Sequence, residues 1–210
     1  NPQANFSVNQ PALLCANDSV RITDASTVFP GLITKVEIWW DNIGSPTSVY
    51  VANNPVFGRI YSHRYPNFQS PLTRNFQIRY RAYSGGVCLN EKLTTITVNA
   101  APAVQFTAMP NICFDATPYQ ITQATETGGV PGAFTYFGPG VSSSGLFTPS
   151  IAGAGIHTIK YLYTSTTGSC KDSTTQTIKV WERAIADFSV NTNPVCEKQP
   201  VTFTNNSTST

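Results

Sequence analysis

One phrase starts three times in this chain, and no other feature limits the possible folds as strongly. Ala4-Asn5-Phe6-Ser7-Val8 leads to Cys15 and then to Val20-Arg21-Ile22-Thr23-Asp24-Ala25-Ser26. Near the other end, Ala186-Asp187-Phe188-Ser189-Val190 leads to Cys196 and then to Val201-Thr202-Phe203-Thr204-Asn205-Asn206-Ser207. A fainter copy lies between them: Ala103-Val104-Gln105-Phe106, Cys113 and Tyr119-Gln120-Ile121-Thr122. A phrase that recurs at domain spacing marks a tandem array of like modules. The expected modules are residues 1–101, 102–183 and 184–210. The third is too short to bury a core alone, since domains below about 40 residues usually need a staple or a partner. The chain therefore reads as a window on a longer array. A disordered tail, or strands donated by a partner chain, are the alternatives.

Each module reads as β-structure. Val36-Glu37-Ile38-Trp39-Trp40, the run from Phe76 to Tyr83, and Leu93-Thr94-Thr95-Ile96-Thr97-Val98 all alternate with period two. The second module repeats the pattern in His157–Tyr163 and Thr175–Val180. Between these runs lie Phe29-Pro30-Gly31, Asn53-Asn54-Pro55, Gly128-Gly129-Val130-Pro131-Gly132 and Gly138-Pro139-Gly140, all turn chemistry. No segment shows a capped helical period. Short strands with regular turn signals predict tandem immunoglobulin-like β-sandwiches. The few-residue linkers after Val98 and Val180 restrict inter-domain angles and predict an extended rod.

Charged residues are only 11% of the chain, against about 25% in typical domains, and the net charge is +2. Ser, Thr, Asn and Gln fill their place, a balance common in secreted and surface proteins. The charge is too small to argue for nucleic acid. No apolar run approaches the roughly 20 residues of a membrane-spanning helix, so direct membrane insertion is not expected. Asn1-Pro2-Gln3 has neither a basic n-region nor an apolar h-region.

The five cysteines follow the repeat. Cys15 and Cys113 fall early in their modules, Cys88 and Cys170 late. One disulfide per module would pair Cys15 with Cys88 and Cys113 with Cys170, leaving Cys196 unpaired in this window. Four cysteines allow three pairings, so this choice rests on the repeat alone. The other reading is five buried thiols in a cytosolic protein. Zinc has less support, because there is no C-x-x-C and the two histidines are far apart.

Two sets of residues carry a family resemblance. Trp40-Asp41-Asn42-Ile43-Gly44-Ser45, followed by His63-Arg64-Tyr65, resembles the Trp-Asp-Phe-Gly-Asp-Gly turn and later His-x-Tyr of bacterial PKD domains. The turn departs from that pattern by one extra residue, with Ile43 for the Phe and Ser45 for the second Asp. The second module resembles the Ig-like repeats that alternate with PKD repeats in long surface proteins of Bacteroidota. Gly132-Ala133-Phe134-Thr135-Tyr136-Phe137-Gly138-Pro139-Gly140-Val141, Gly145-Leu146-Phe147-Thr148-Pro149, Ala152-Gly153-Ala154-Gly155-Ile156-His157 and Thr167-Gly168-Ser169-Cys170 carry it. The resemblance implies an extracellular, cell-surface adhesin of the SprB-like gliding-motility kind, exported by type IX secretion. Its partners would be neighbouring repeats of the same long chain, with surface polysaccharide or substratum beyond them. The alternative it implies is a spacer or carbohydrate-binding accessory segment of a secreted polysaccharide-degrading enzyme.

Catalysis has little support. A Ser-His-Asp arrangement would need His63 or His157, Gly140-Val141-Ser142-Ser143-Ser144-Gly145 is not a nucleophile elbow, and the acids are scattered. No cofactor is expected, with Ca²⁺ the one candidate. Asp18, Asp24 and Asp41 are the acids best placed for it, but they form no calcium loop, and solvated turn aspartates are the plainer reading. The alternation puts Val36, Ile38 and Trp40 on one strand face, and Glu37 and Trp39 on the other. Trp40 is then core, packed on its module's disulfide. Trp39 faces outward, to stack on a sugar or to be covered by the 44–62 loop. Arg79, Arg81 and Tyr83 share the outward face of their strand and join Trp39 as candidate glycan contacts, with Arg64 and Arg74 as additions. The plainer reading is a solvated sheet face with cross-strand pairs. Trp181 is expected to pack at a domain junction. Ser19 and Ser173, in Asp18-Ser19-Val20 and Asp172-Ser173-Thr174, match the short pattern tied to O-glycosylation in Bacteroidota; Ser19 would precede a strand and Ser173 would lie in a loop.

Overall fold

The structure, a computed structural model, describes residues 1–191, 194 and 196–209. The chain is almost wholly β, as tandem immunoglobulin-like sandwich modules. By compactness it divides into two units. The first is Asn1–Val104 with 126–133 and 163–172; the second is 105–125, 134–162 and 173–210.

In the first unit the strands are β1 (Phe6–Val8), β2 (Val20–Asp24), β3 (Lys35–Trp39), β4 (Tyr50–Asn53), β5 (Ile60–His63), β6 (Thr73–Ser84) and β7 (Cys88–Asn99). They form two sheets, ordered β1-β2-β5 and β4-β3-β6-β7. Alternation decides which side chains meet between them. Val20 and Ile22 face Val36, Ile38, Ile78, Tyr80, Ile96 and Val98, all at most 5% exposed. Each such aliphatic side chain contributes about 1.5–3 kcal/mol by leaving water. Phe6 closes one side against Tyr80, with ring centroids 5.3 Å apart. β4, and β5 up to Ser62, lie inside the 44–62 stretch read from sequence as one long loop; Tyr50-Val51-Ala52-Asn53 and Ile60-Tyr61-Ser62-His63 are too short to show an alternation.

The 126–133 segment is tied to this unit by Glu126. Its Oε1 accepts from the Ala103 and Gly128 amides, and its Oε2 from those of Gly129 and Val130. Gly128 is required here, because a Cβ would lie 2.3 Å from Gln69 Cγ. Val130 then joins the first core, 2% exposed.

Further strands are β8 (Val104–Phe106), β9 (Ile112–Cys113), β10 (Tyr119–Gln120), β11 (Ala124–Glu126), β12 (Gly132–Phe137), β13 (Leu146–Phe147), β14 (Gly155–Ser165) and β15 (Lys171–Trp181). A one-turn helix, α1 (Pro149–Ala152), and a 3₁₀ turn at Pro11–Leu13 are the only helical elements among the described residues. The main sheet is ordered β12-β14-β15-β9, with pairs β8–β11 and β10–β13 beside it. In the second unit Tyr136 and Tyr161 pack at 5.1 Å, and Phe147, Ile159 and Ile178 are buried. Gly145 sits against the Tyr136 ring at φ +90°, where a Cβ would approach to 2.7 Å, which explains the glycine in Gly145-Leu146-Phe147.

The last strands are β16 (Ala184–Ile185), β17 (Phe188–Val190), β18 (Phe203–Asn205) and β19 (Thr208–Ser209), paired as β16–β19 and β17–β18. β17 and β18 repeat the first hairpin in register. Phe188, Ser189 and Val190 face Asn205, Thr204 and Phe203, as Phe6, Ser7 and Val8 face Asp24, Thr23 and Ile22. Phe188 and Phe203 are 63% and 66% exposed, whereas Phe6 and Ile22 are buried.

The disulfide pairing differs from the expected one. Cys15 bonds Cys170, and Cys88, Cys113 and Cys196 are exposed free thiols. Strand direction gives the reason. Cys15 bridges to Asn99, the last residue of β7, whereas Cys88 is the first residue of that strand. Eleven steps at about 3.3 Å put them some 36 Å apart, far beyond the roughly 7 Å a disulfide spans between Cα atoms. Cys113 pairs with Trp181, at the far end of β15 from Cys170. Neither expected bond can form.

Non-reducing peptide mapping should therefore find one link, Cys15–Cys170, with Cys88, Cys113 and Cys196 open to alkylation. In the chain-entropy description a loop of 155 residues is worth about 5 kcal/mol, so Cys15→Ser should lower the unfolding free energy by several kcal/mol. A mapped Cys15–Cys88 peptide would refute the pairing.

Candidate functional site

The outer face of the β4-β3-β6-β7 sheet gathers the candidate glycan contacts. Cross-strand register builds it in rows. Lys35, Tyr83 and Leu89 form one row; Glu37, Arg81 and Glu91 the next; Trp39, Arg79 and Leu93 the third. Trp39 is half-buried on this face, while Trp40 points inward and is 8% exposed. What covers Trp39 is a pair of guanidinium groups. Arg79 and Arg81 lie 5.1 and 5.2 Å from its ring centroid.

Those arginines are already paired. Arg79 Nη2 and Arg81 Nη2 both reach Glu91 Oε2, at 2.7 and 3.1 Å. Arg81 Nη1 also lies 3.7 Å from Glu37 Oε2. The Tyr83 hydroxyl donates to Glu37 Oε2 at 2.6 Å, and Lys35 Nζ bonds Glu37 Oε1 at 2.9 Å. Burial pushes the Glu37 carboxyl up, but the Tyr83 and Lys35 bonds with the Arg81 charge hold it below its ordinary value. The Arg79 bond, opposed by slight burial and reinforced by Arg81, does the same for Glu91. Three cations and two carboxylates leave this face nearly neutral. The face is not a bare basic patch: the partly covered Trp39 lies among these paired charges, with Val51, Leu89 and Leu93, each about half exposed, on the same sheet.

Arg74 and Arg64 do not join it. Arg74 bonds the Ser70 carbonyl and lies over the Phe68 ring, and Arg64 lines a separate cleft with Trp40, Asp41 and Tyr65. There the Trp-Asp turn and the His-x-Tyr pair meet. Trp40 stacks on His63 at 5.1 Å, not on a disulfide, and the Tyr65 ring meets His63 edge-on at 4.6 Å. The Tyr65 hydroxyl donates to the Trp40 carbonyl at 2.6 Å. The motif is thus a lock on the end of β3. Burial holds the His63 imidazolium below its usual range, against the pull of Asp41. His157 bonds the Gly153 carbonyl through Nε2 at 2.8 Å, tying β14 to the turn after α1.

The candidate calcium ligands are apart, each occupied by its own turn. Asp18, Asp24 and Asp41 accept from the amides of Ser19, Ser26 and Gly44. Among the described residues no three acid, histidine or cysteine side chains are grouped to hold a metal. Trp181 is 45% exposed, and Lys179 Nζ sits 3.4 Å from its ring centroid. Ser173 lies within β15 and not in a loop, while Ser19 directly precedes β2 as expected.

A second surface escaped the sequence reading. The β2–β3, β4–β5 and β6–β7 connections meet at one end of the first sandwich, joined by Thr34 Oγ1 to the Gly85 carbonyl and by the Asn54 amide to the Thr34 carbonyl. They display Phe29, Leu32, Val56, Phe57 and Val87 at 69–94% exposure. These are large apolar side chains at the tips of three adjoining loops. Reading Phe29-Pro30-Gly31 only as turn chemistry concealed it.

No protein-family model matches the chain, and no curated protein does. Solved structures do. The fibronectin(III)-like modules of Clostridium thermocellum CbhA align at TM-score 0.35 and 14% identity, over 84% of this chain and 94% of that one. The protocadherin gammaB7 EC3-6 cis-dimer structure aligns at 0.34 and 11%, over 99% of this chain and 62% of that one. Drosophila N-cadherin EC1-4 aligns at 0.32 and 12%, over 99% and 60%. The chain thus spans less than two thirds of either cadherin-type chain. Likeness at these scores carries nothing about what the chain binds. No helix among the described residues is long and apolar enough to cross a membrane.

The two tryptophans separate by urea unfolding. Trp40→Ala should cost about 3–5 kcal/mol as a core truncation, and Trp39→Ala about 1–2 kcal/mol from lost stacking with its arginines. Equal losses would contradict the assigned faces.

Acid should act in two stages. His63 has a depressed folded pKa, so its contribution is complete above the ordinary value of 6.5 and is lost as pH falls through the folded value. Glu37 and Glu91, also depressed, contribute above 4.5 and lose it below. Urea midpoints measured from pH 8 to 3 should show both stages, and His63→Phe should remove only the first. An unchanged profile in that variant would exclude His63 as its source.

Proposed function

We propose that this chain is a structural and adhesive repeat segment of a long bacterial cell-surface filament or adhesin, non-catalytic, serving gliding motility or surface attachment. Export by type IX secretion and an extended rod of successive modules belong to the same reading. The observation that carries it is the hairpin that recurs in the same register at both ends of the chain. A recurring unit favours reach and multivalency over a single reaction. The Trp39–Arg79–Arg81–Tyr83 face is the contact for polysaccharide, by ring stacking more than by charge, because Glu37 and Glu91 already neutralise the arginines. Neighbouring modules of the same chain are the other partners, and Ser19 and Ser173 are glycan acceptors.

Retention of the purified protein on immobilised polysaccharides, neutral and acidic, tests the contact. Trp39→Ala should weaken retention several-fold, while added salt should change it little. Retention abolished by salt and indifferent to Trp39 would reject stacking. The mass of the native polypeptide tests the rest. An array of repeats is expected, whereas a polysaccharide-degrading catalytic domain on the same chain would establish the accessory-segment alternative.

A further inference from the structure

We infer that the Cys15–Cys170 disulfide is a redox-gated limit on how far this chain stretches. A pull between the chain ends travels along the shortest covalent path, and the disulfide joins residues 155 apart. While it is closed, tension passes from Cys15 to Cys170, and β2 through β14 lie in a loop that carries none of it. Only residues before Cys15 and after Cys170 can be drawn out. The withheld length is about 540 Å, at roughly 3.5 Å per extended residue.

The bond sits in a node built to hold it. The Ala16 amide donates to the Asn99 carbonyl, and the Asn99 amide and Nδ2 both donate to the Leu14 carbonyl. Asn17 Nδ2 reaches the Lys171 carbonyl at 2.8 Å. On the other side, the Cys170 amide donates to Ser165 Oγ and its carbonyl accepts from the Ser165 amide. Gly168, at φ +69°, lies so close to Asn99 that a Cβ would come within 2.3 Å of its side chain. Cys170 is 1% exposed, so a reductant must open this node to attack there. Reduction by a dithiol proceeds by thiolate attack on one sulfur, a mixed disulfide, and closure of the reductant's own disulfide. Two electrons and two protons pass to the protein, giving two cysteine thiols. The loop then enters the load path. Cys88 and Cys113 are not substitutes: Cys88 lies at the far end of β7 from Asn99, and Cys113 pairs with Trp181, at the far end of β15 from Cys170. Any pull on the chain ends meets this limit, whatever surface the protein contacts.

Single-molecule stretching of the full chain, held through terminal fusion tags without cysteine, tests it. The oxidised protein should gain about 540 Å less contour length on complete unravelling than the same protein in dithiothreitol. Cys170→Ser should behave as reduced protein without reductant, and Cys88→Ser as the oxidised wild type. Equal contour gains with and without dithiothreitol would overturn the inference. So would a shortening that Cys88→Ser removes, or one that persists in Cys170→Ser. The reduced wild type gives the decisive comparison even where a cysteine variant fails to fold.

Discussion

The alternation of β3 between β4 and β6 is the constraint on which the rest depends. Val36 and Ile38 turn inward and are fully buried, so Glu37 and Trp39 have no choice but the outer face. A slip of one residue would exchange the two faces entire. The inward set joins Ile78, Tyr80 and Val98 to make the first core. The outward set, registered against Arg79, Arg81 and Glu91, makes the candidate contact face. Core and site are two sides of one pairing, which is why a core truncation at Trp40 and a surface truncation at Trp39 are such different perturbations of adjacent residues.

A second constraint is the end of β7. Asn99 receives the chain at Leu14–Ala16 through three backbone and side-chain bonds and leaves no room for a side chain at Gly168. This fixes where Cys15 must be, and therefore which cysteine it can meet. The free position of Cys88 follows from the same fact, because a twelve-residue strand separates it from that end. Repeat phase places cysteines along each module, but disulfides form across space, and a strand's length outweighs similarity of sequence position.

The strands with strong period-two signals were legible in the sequence. β3, β6, β7, β14 and β15 lie where alternation put them, and each extends one to several residues beyond at least one end of its apolar run. Hairpin pairing added those residues, since backbone bonds continue where the side chains have turned polar. β4 and β5 were missed because four-residue strands among Asn, Gly and Pro look like loop. The faces of Trp39 and Trp40 were legible, being purely local. The partners of Arg79 and Arg81 were not: Glu91 is set by the β6–β7 register, and a basic-looking row became a neutral one. Arg74 was misplaced for a local reason, since its parity along β6 matches inward Ile78 and Tyr80 and not Arg79.

The near-neutrality of that face bears on how a contact there would respond to salt. A surface that attracts acidic polymers by charge loses its hold as salt rises, because exposed charges are screened within about 10 Å at 0.1 M. Here the charges are paired with one another, and the Arg79 and Arg81 guanidinium groups lie 5.1 and 5.2 Å from the Trp39 ring centroid. In the proposed contact, a ring already packed against paired side chains would have less side-chain entropy to lose, and stacking would read a sugar's apolar face and not its set of hydroxyls. A module of this kind would bind weakly by itself and strongly when many copies act together. On the proposed reading, recurrence along the chain would supply the multivalency that a contact of modest strength requires.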